Sequence, residues 1–191
     1  MPRKPAHSRD DLLDRALMRF WDAGYEATSI DDLVKATGGS LHALYKAFGS
    51  KHGLFLECFD RYHTLVVAPA IAPLDGAGMS AISEYFERQI KLAEGKGLPG
   101  IGCFVGNAAT ETAPHDPEVA ALVARHEARL DHGFAAALLA EGMAPERAAA
   151  LARVITTFAT GLWARSRAVT EAEPLRRDVQ EFLSLLERSL S

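Results

Sequence analysis

The chain has 191 residues, 48% of them hydrophobic, which is enough to bury a real core in one or two small domains. A formal net charge of −4 does not by itself indicate a nucleic-acid binder, and two cysteines are too few for a disulfide framework or a metal cluster. The sequence has no secretory signal and no apolar run of about 18 residues, so we expect a cytoplasmic protein that does not enter a membrane.

Helical periodicity predicts an all-α fold. Apolar residues recur three or four positions apart in almost every segment, and strand-like alternation is absent. Glycine and proline residues mark the breaks between the segments. About nine helices are predicted, at 8–23, 29–36, 41–48, 51–67, 80–93, 103–113, 117–140, 145–167 and from 174 to near the C-terminus.

The first three predicted helices have the arrangement of a helix-turn-helix. A tight turn between two helices needs a residue that tolerates positive φ, which Gly38 or Gly39 supplies. Leu44 and Phe48 give the third helix one face that packs, and its other face is free to enter a DNA major groove. Helices broken by glycine also occur in other all-α proteins, so the spacing alone leaves open a helical ligand-binding or interaction protein that does not bind DNA.

Residues around this turn are suited to hold a DNA backbone. Helix starts offer hydroxyl and N–H groups to phosphate, and either Thr28 with Asp31 or Ser29 with Asp32 fits a capping box. The predicted phosphate contacts are Arg3, Lys4, Thr28, Ser29, Ser40, Tyr45, Lys46 and Lys51. Leu41 and His42 are candidates for base contacts, Leu41 through thymine methyl groups, although Leu41 could also be packed inside the protein.

The segment 20–55, FWDAGYEATSIDDLVKATGGSLHALYKAFGSKHGLF, resembles the DNA-binding domain of the TetR family of transcriptional regulators. The matching positions are Phe20, Gly24, Tyr25, Thr28, Ser29, Ile30, Gly38, Ser40, Leu44, Tyr45, Phe48, Lys51 and Leu54. The resemblance implies a DNA-binding domain over residues 1–51 and an effector-binding and dimerisation domain over residues 52–191. It also implies a homodimer on a pseudo-palindromic double-stranded operator, most often a repressor that a small-molecule effector releases.

The chain departs from the family pattern at three positions of this segment. Gly39 replaces a residue that is usually β-branched, Leu41 one that is usually polar or basic, and Ala47 one that is often His, Tyr or Arg. The residues that grip phosphate are therefore retained, and the operator sequence is not predicted.

The segment 102–119, GCFVGNAATETAPHDPEV, resembles a segment found in one branch of the same family. Members of the NemR-like branch sense electrophiles or oxidants through a cysteine in this segment, which makes Cys103 a candidate sensor. Cys103 lies at a predicted helix start, where the helix dipole would lower the pKa of its thiol. The alternative is that Cys103 packs as a small buried hydrophobic residue.

A cavity for a mostly apolar effector is the broader hypothesis for the second domain. Its predicted lining is Phe55, Phe59, Tyr62, His63, Tyr85, Phe86, Gln89, Cys103, Phe104, Asn107, Glu111, His126 and Trp163. Most aromatic residues at helical spacing are core residues, so many of these could prove to be packed. Asn107 and Glu111, four residues apart, could instead hydrogen-bond a neighbouring loop.

The last two predicted helices have the small and apolar residues of an interface, and in the family they pair with their symmetry mates. The predicted interface residues are Ala152, Ile155, Phe158, Ala159, Leu162, Leu175, Val179, Phe182 and Leu186. The sequence contains no phosphate-binding glycine loop, nucleophile elbow or zinc spacing. We therefore expect no enzymatic activity, no metal and no cofactor.

Overall fold

The computed structural model describes residues 8–189, which form helices and turns, with no strand among them. The helices are α1 Arg9–Ala23, α2 Ile30–Thr37, α3 Leu41–Phe48, α4 Lys51–Tyr62, α5 Ala68–Ile71, α6 Gly78–Lys96, α7 Phe104–Glu111, α8 Pro117–Ala140, α9 Pro145–Arg165 and α10 Glu173–Arg188. A π-helical turn, His63–Val67, joins α4 to α5, so these two segments form one continuous rod and the described range contains nine rods. The prediction of an all-α fold with about nine helices is confirmed.

The rod that begins at Lys51 is longer than predicted. Pro69 and Pro73 were expected to end it near Val67, but helical backbone angles continue through Ala68 and Ala72, and a short 3-10 turn extends the rod to Leu74. Each proline lies at the first or second position of its short segment, where the fixed φ of proline is compatible with helical backbone. The prolines therefore do not end the rod.

Serine residues begin each of the first four helices. Ser8, Ser29, Ser40 and Ser50 each accept a hydrogen bond from the backbone N–H three residues later. Each cap of this kind stabilises its helix by about 1 kcal/mol. A complete capping box forms between Ser29 and Asp32, so the alternative pairing of Thr28 with Asp31 is wrong.

The two glycines between α2 and α3 have different surroundings. Gly38 has φ 69° and ψ 5°, the left-handed conformation that costs other residues about 1–2 kcal/mol. Gly39 lies against α1, and a Cβ at that position would approach Cδ2 of the buried Leu12 to 2.8 Å. The first glycine reverses the chain, and the second lets the turn lie close to α1.

Two clusters of aromatic rings organise the core. One lies where α1 and α4 meet α7, and it contains Phe20, Tyr25, Phe55, Phe59, Phe104. The other lies among α6, α8, α9 and α10, and it contains Tyr85, Phe86, Phe134, Phe158 and Phe182. α4 contacts α1 on one side and α7 and α8 on the other, so it connects the two parts of the molecule.

Among residues 8–189, no helix combines the length and the apolar character that crossing a bilayer requires. The predicted division into residues 1–51 and 52–191 stays a prediction. For the description below, residues 8–50 are called the head and residues 51–189 the body.

Candidate DNA-binding face and effector cavity

Helix α3 presents a free polar and apolar face to solvent. Leu44 and Phe48 are buried beneath it, whereas Leu41 is 46% and Tyr45 is 44% exposed. His42 and Lys46 are also exposed. The expected division of α3 into a packed side and a free side is therefore present, and Leu41 lies on the free side.

The residues near α3 that were predicted to donate hydrogen bonds to phosphate are only partly available. Ser29 and Ser40 are exposed, but the Ser29 hydroxyl donates to the Asp32 carboxylate at 2.7 Å. The Lys51 Nζ lies 4.2 Å from the centre of the Tyr25 ring and remains partly exposed. Arg3 and Lys4 lie outside the described residues.

Thr28 requires a correction. Its side chain is fully buried, and its hydroxyl donates to the Gly24 carbonyl oxygen at 2.6 Å. The hydroxyl therefore braces the turn that follows α1 and does not face the surface on which α3 lies free. The predicted contact between the Thr28 hydroxyl and phosphate is therefore not supported by the position of this side chain.

A cavity of about 520 Å³ lies between α1, the α4–α5 rod, α6, α8 and α9, and the loop 97–102 forms part of its wall. Its lining residues are Met18, Trp21, Tyr62, Val66, Val67, Ala70, Tyr85, Gln89, Leu92, Ala93, Lys96, Gly97, Pro99, Gly100, Ile101, Gly102, Cys103, His126, Leu130, Thr160, Trp163 and Ser166. Volumes of this size are typical of small-molecule sites. The predicted lining residues Tyr62, Tyr85, Gln89, Cys103, His126 and Trp163 are among them.

The other predicted lining residues lie elsewhere. Phe55, Phe59 and Phe104 pack in the cluster between head and body, and Phe86 packs in the second cluster. His63 is partly buried but does not line the cavity. These predictions were wrong because helical spacing identifies an inward-facing ring but cannot distinguish a packed core from a cavity wall.

Asn107 and Glu111 are hydrogen-bonded to loops, as the alternative prediction proposed. The Asn107 amide donates to the Ile101 carbonyl oxygen at 2.9 Å. The Glu111 carboxylate accepts from the backbone N–H groups of Tyr25 at 3.1 Å and Glu26 at 2.9 Å. Glu111 therefore binds the end of α7 to the turn after α1, and neither residue lines the cavity.

A second polar contact joins the head end of α4 to α8. The His52 Nε2 lies 2.7 Å from an Asp116 carboxylate oxygen, while the other oxygen of Asp116 accepts from the N–H groups of Glu118 and Val119. The Val119 N–H and the His52 ring hold the pKa of Asp116 below its ordinary value, so Asp116 is ionised at neutral pH. Glu118 lies 3.9 Å from the other ring nitrogen of His52, and one ligand atom from each of His52, Asp116 and Glu118 lies within 4.8 Å of the other two.

Cys103 caps α7 and lies on the cavity wall. Its Sγ accepts from the Gly106 N–H at 3.4 Å and lies 3.5 Å from the Tyr62 hydroxyl and 3.9 Å from the His126 Nε2. Burial raises the pKa of the Cys103 thiol above its ordinary value, although the Tyr62 and Gly106 hydrogen bonds oppose this. The lowering expected at the helix start is present, since the Gly106 and Val105 N–H groups lower the pKa, but the effect of burial is larger. Electrophile sensing by Cys103 stays a prediction, without the support of a thiolate at neutral pH.

Residues from the head complete the cavity, and no local pattern in the sequence indicates them. Met18 and Trp21 of α1 line it, and the Trp21 ring N–H donates to the Gly102 carbonyl oxygen at 3.0 Å. Lys96 lies with its Nζ 5.3 Å from the centre of the Trp21 ring. Trp21 resembles an ordinary core residue in the helical pattern of α1, and only the fold brings the loop 97–102 against it.

The predicted interface residues on α9 and α10 need a similar correction. Seven of the nine are buried within the chain itself, namely Ala152, Ile155, Ala159, Leu162, Leu175, Val179 and Leu186. Phe158 and Phe182 are partly exposed and stack on each other with ring centres 3.9 Å apart. The apolar stripe of each helix packs inside the body of the same chain. Val154 and Leu185, in contrast, are 52% and 59% exposed.

Comparisons with known proteins all match this chain to transcriptional regulators. Residues 12–58 match the profile of bacterial regulatory proteins of the tetR family, and residues 79–181 match the C-terminal domain of LmrA/YxaF-like transcriptional regulators. The HTH-type transcriptional repressor ComR of Escherichia coli K12 is 38% identical over 128 residues, which are 65% of this chain and 60% of ComR. The uncharacterized HTH-type transcriptional regulator YezE of Bacillus subtilis 168 is 32% identical over 130 residues, 67% of this chain and 66% of YezE. The chain thus spans slightly less than two thirds of these relatives.

Solved structures share the whole fold. A cysteine mutant of the TetR family transcriptional regulator CifR, complexed with 26-bp double-strand operator DNA, is 26% identical with a TM-score of 0.82, over 95% of this chain and 98% of CifR. The reduced form of Escherichia coli NemR has a TM-score of 0.78 over 91% of this chain and 93% of NemR, but only 15% identity. The NemR comparison therefore shows the fold alone, and membership of the NemR-like branch is not confirmed. The chain belongs to the TetR family, whose members are transcriptional regulators and not enzymes.

Proposed function

We propose that this protein is a repressor that binds double-stranded operator DNA as a homodimer and leaves it when a small molecule fills the cavity. The observation that carries the proposal is the free face of α3, where Tyr45, Lys46 and His42 are exposed on a helix that Leu44 and Phe48 hold from behind. Helices of this kind enter the major groove, and their polar and basic side chains hold phosphate. The operator-bound CifR structure supports this reading.

A homodimer follows from the geometry that DNA requires. One α3 contacts one half-site, and two copies related by a two-fold axis reach successive major grooves about 34–36 Å apart. Val154 on α9 and Leu185 on α10 are large apolar side chains that are exposed in the single chain. They lie on the free sides of these helices and are the interface contacts that we propose in place of the buried residues.

The position of the cavity supports release by a ligand. Met18 and Trp21 of the head form part of its wall, and so do Val66 and Val67 of the π turn in the α4–α5 rod. A ligand therefore contacts the head and the body at once. If it binds one arrangement of these parts more tightly than another, it shifts the population between an arrangement that fits the operator and one that does not.

The DNA-binding part of the proposal is tested by the salt dependence of binding. The full chain selects duplexes from a random pool, and fluorescence anisotropy then measures their affinity at several salt concentrations. We expect affinity to fall steeply as the salt concentration rises. Lys46→Ala should weaken binding, and it should reduce the slope of log affinity against log salt concentration by about 1 for each Lys46 that contacts phosphate.

Lys91→Ala is the matched control, because Lys91 is an exposed lysine on α6, remote in the fold from α3. It should leave both affinity and slope unchanged. Failure to enrich any duplex, or a Lys46→Ala variant that binds like the Lys91→Ala variant, would contradict the proposed DNA contact.

A further inference from the structure

We infer that the cavity accepts an organic anion with a flat aromatic body, and that Lys96 holds its negative group. This inference rests on the proposed function, because it names the chemical class of the effector. It is carried by the charges and the free polar groups of the cavity wall.

The wall contains one positive charge and no negative charge. Among the residues that line the cavity, Lys96 is the one whose side chain is charged at neutral pH, and no aspartate or glutamate lines it. His126 is uncharged at neutral pH, because burial and the nearby charges of His63 and Arg129 lower its pKa to about 4. A cationic ligand would therefore meet Lys96 and find no carboxylate to compensate it, whereas an anionic ligand would be paired.

The ammonium group of Lys96 has no carboxylate partner within residues 8–189. The neighbouring acids of α6 are already paired, Glu87 with Lys91 at 3.6 Å and Glu94 with Arg176 at 2.9 Å. Within residues 8–189, Lys96 has no carboxylate oxygen within 4 Å of its Nζ. It lies instead over the face of Trp21, a contact that keeps the ammonium group at the cavity and that an anion can replace at small cost.

Aromatic rings surround the remaining space. Trp21, Tyr62, Tyr85 and Trp163 all line the cavity. Several polar groups of this wall already have partners in the chain, since the Trp21 N–H is bound to Gly102 and the Tyr62 hydroxyl to Cys103. The cavity wall therefore offers mainly the faces and edges of aromatic rings to a ligand. Contacts with these rings favour a flat aromatic ligand over a strongly polar one.

Gln89 offers a second polar group to a ligand. Gln89 lines the cavity, and its side-chain amide makes no hydrogen bond within the described part of the chain. Gln89 and Lys96 are seven residues apart, so both lie on one face of α6 and are separated by about 10 Å along the helix axis. A ligand that uses both groups has its anionic end at Lys96 and a hydrogen-bonding group at Gln89, two helical turns earlier on α6.

A matched set of three probes tests the class of ligand. They are 4'-hydroxybiphenyl-4-carboxylate, its carboxamide and its aminomethyl analogue, which have the same length and shape but a negative, neutral and positive end group. Isothermal titration calorimetry measures the affinity of each for the full chain. We expect the carboxylate to bind about tenfold or more tightly than the carboxamide, and the aminomethyl compound to bind most weakly.

Two variants assign the effect to one side chain. Lys96→Met removes the charge and keeps most of the length, and it should abolish the preference for the carboxylate over the carboxamide. Lys91→Met is the matched control, because Lys91 lies on the same helix but outside the cavity, and it should keep the preference. The inference is overturned if the aminomethyl probe binds best, if Lys96→Met keeps the preference, or if no probe binds.

These titrations contain no DNA, so their outcome is independent of operator binding. If the class of ligand is wrong but the proposed function is right, duplex selection and its salt dependence remain intact. If the proposed function is wrong but the class of ligand is right, the carboxylate preference remains while duplex selection fails.

Discussion

The head and the cavity are built in opposite ways. The head depends on short-range features, since each serine cap bonds an N–H three residues away and Gly38 reverses the chain within one turn. The cavity depends on long-range contacts, and its Trp21–Gly102 hydrogen bond joins residues 81 positions apart. The head is therefore a unit whose shape is fixed locally, while the cavity exists only when the head is docked on the body.

This contrast gives particular weight to the contacts that dock the two parts. They are the aromatic cluster around Phe55, the Glu111 carboxylate on the turn after α1 and the Trp21–Gly102 hydrogen bond. Changes at these contacts should affect stability and the communication between the parts, while the folding of α2 and α3 should be altered least.

The largest effect is expected for Phe55→Ala. Phe55 is 1% exposed, and its ring lies 5.1 Å from that of Phe20 in the head and 5.6 Å from that of Phe104 in the body. Removing a buried phenyl ring creates a cavity and costs about 3–5 kcal/mol of unfolding free energy. Chemical denaturation followed by far-UV circular dichroism measures the loss.

Leu65→Ala serves as the control for this experiment, because Leu65 lies on the same rod but is 49% exposed. Its effect should stay within about 0.5 kcal/mol. A Phe55→Ala variant as stable as the Leu65→Ala variant would show that the aromatic cluster does not hold head and body together.

A smaller effect is expected for Glu111→Ala. This change leaves the N–H groups of Tyr25 and Glu26 without their carboxylate acceptor. Loss of hydrogen bonds to a charged, partly buried group costs about 1–3 kcal/mol. Hydrogen exchange should show faster exchange at these two amides, and denaturation should show the loss of stability.

Glu127→Ala is the matched control, since Glu127 is an exposed glutamate on α8. It should change neither the exchange of the Tyr25 and Glu26 amides nor the midpoint of unfolding. Unaltered exchange at these amides in the Glu111→Ala variant would mean that Glu111 does not join α7 to the head.

The same contrast explains how much the sequence could predict. Capping serines, turn glycines and the spacing of Leu44 and Phe48 are local, so the helices and the free face of α3 were predictable. Thr28 was the exception in the head, because the direction of its hydroxyl depends on the Gly24 carbonyl oxygen. The hydroxyl of a motif residue can bind the backbone of its own turn, which the motif alone does not reveal.

The cavity and the interface were less predictable for a physical reason. Hydrophobic periodicity shows that a residue faces inward, but it does not identify the partner. The Phe55 ring packs against other aromatic rings, and Ile155 and Leu175 are buried within their own chain. Trp21 donates a hydrogen bond to a loop that follows it by some eighty residues. The contacts of such residues are decided by tertiary packing, which the pattern of one helix does not contain.

The central claim is that filling the cavity changes the fit of the head to DNA. It is tested most directly by measuring operator affinity by anisotropy with and without saturating 4'-hydroxybiphenyl-4-carboxylate, on a duplex selected by the full chain. We expect the ligand to weaken operator binding about 5- to 150-fold, and the operator to weaken ligand binding by the same factor, because coupling between two sites is reciprocal. An operator affinity that is the same with and without bound ligand would contradict it.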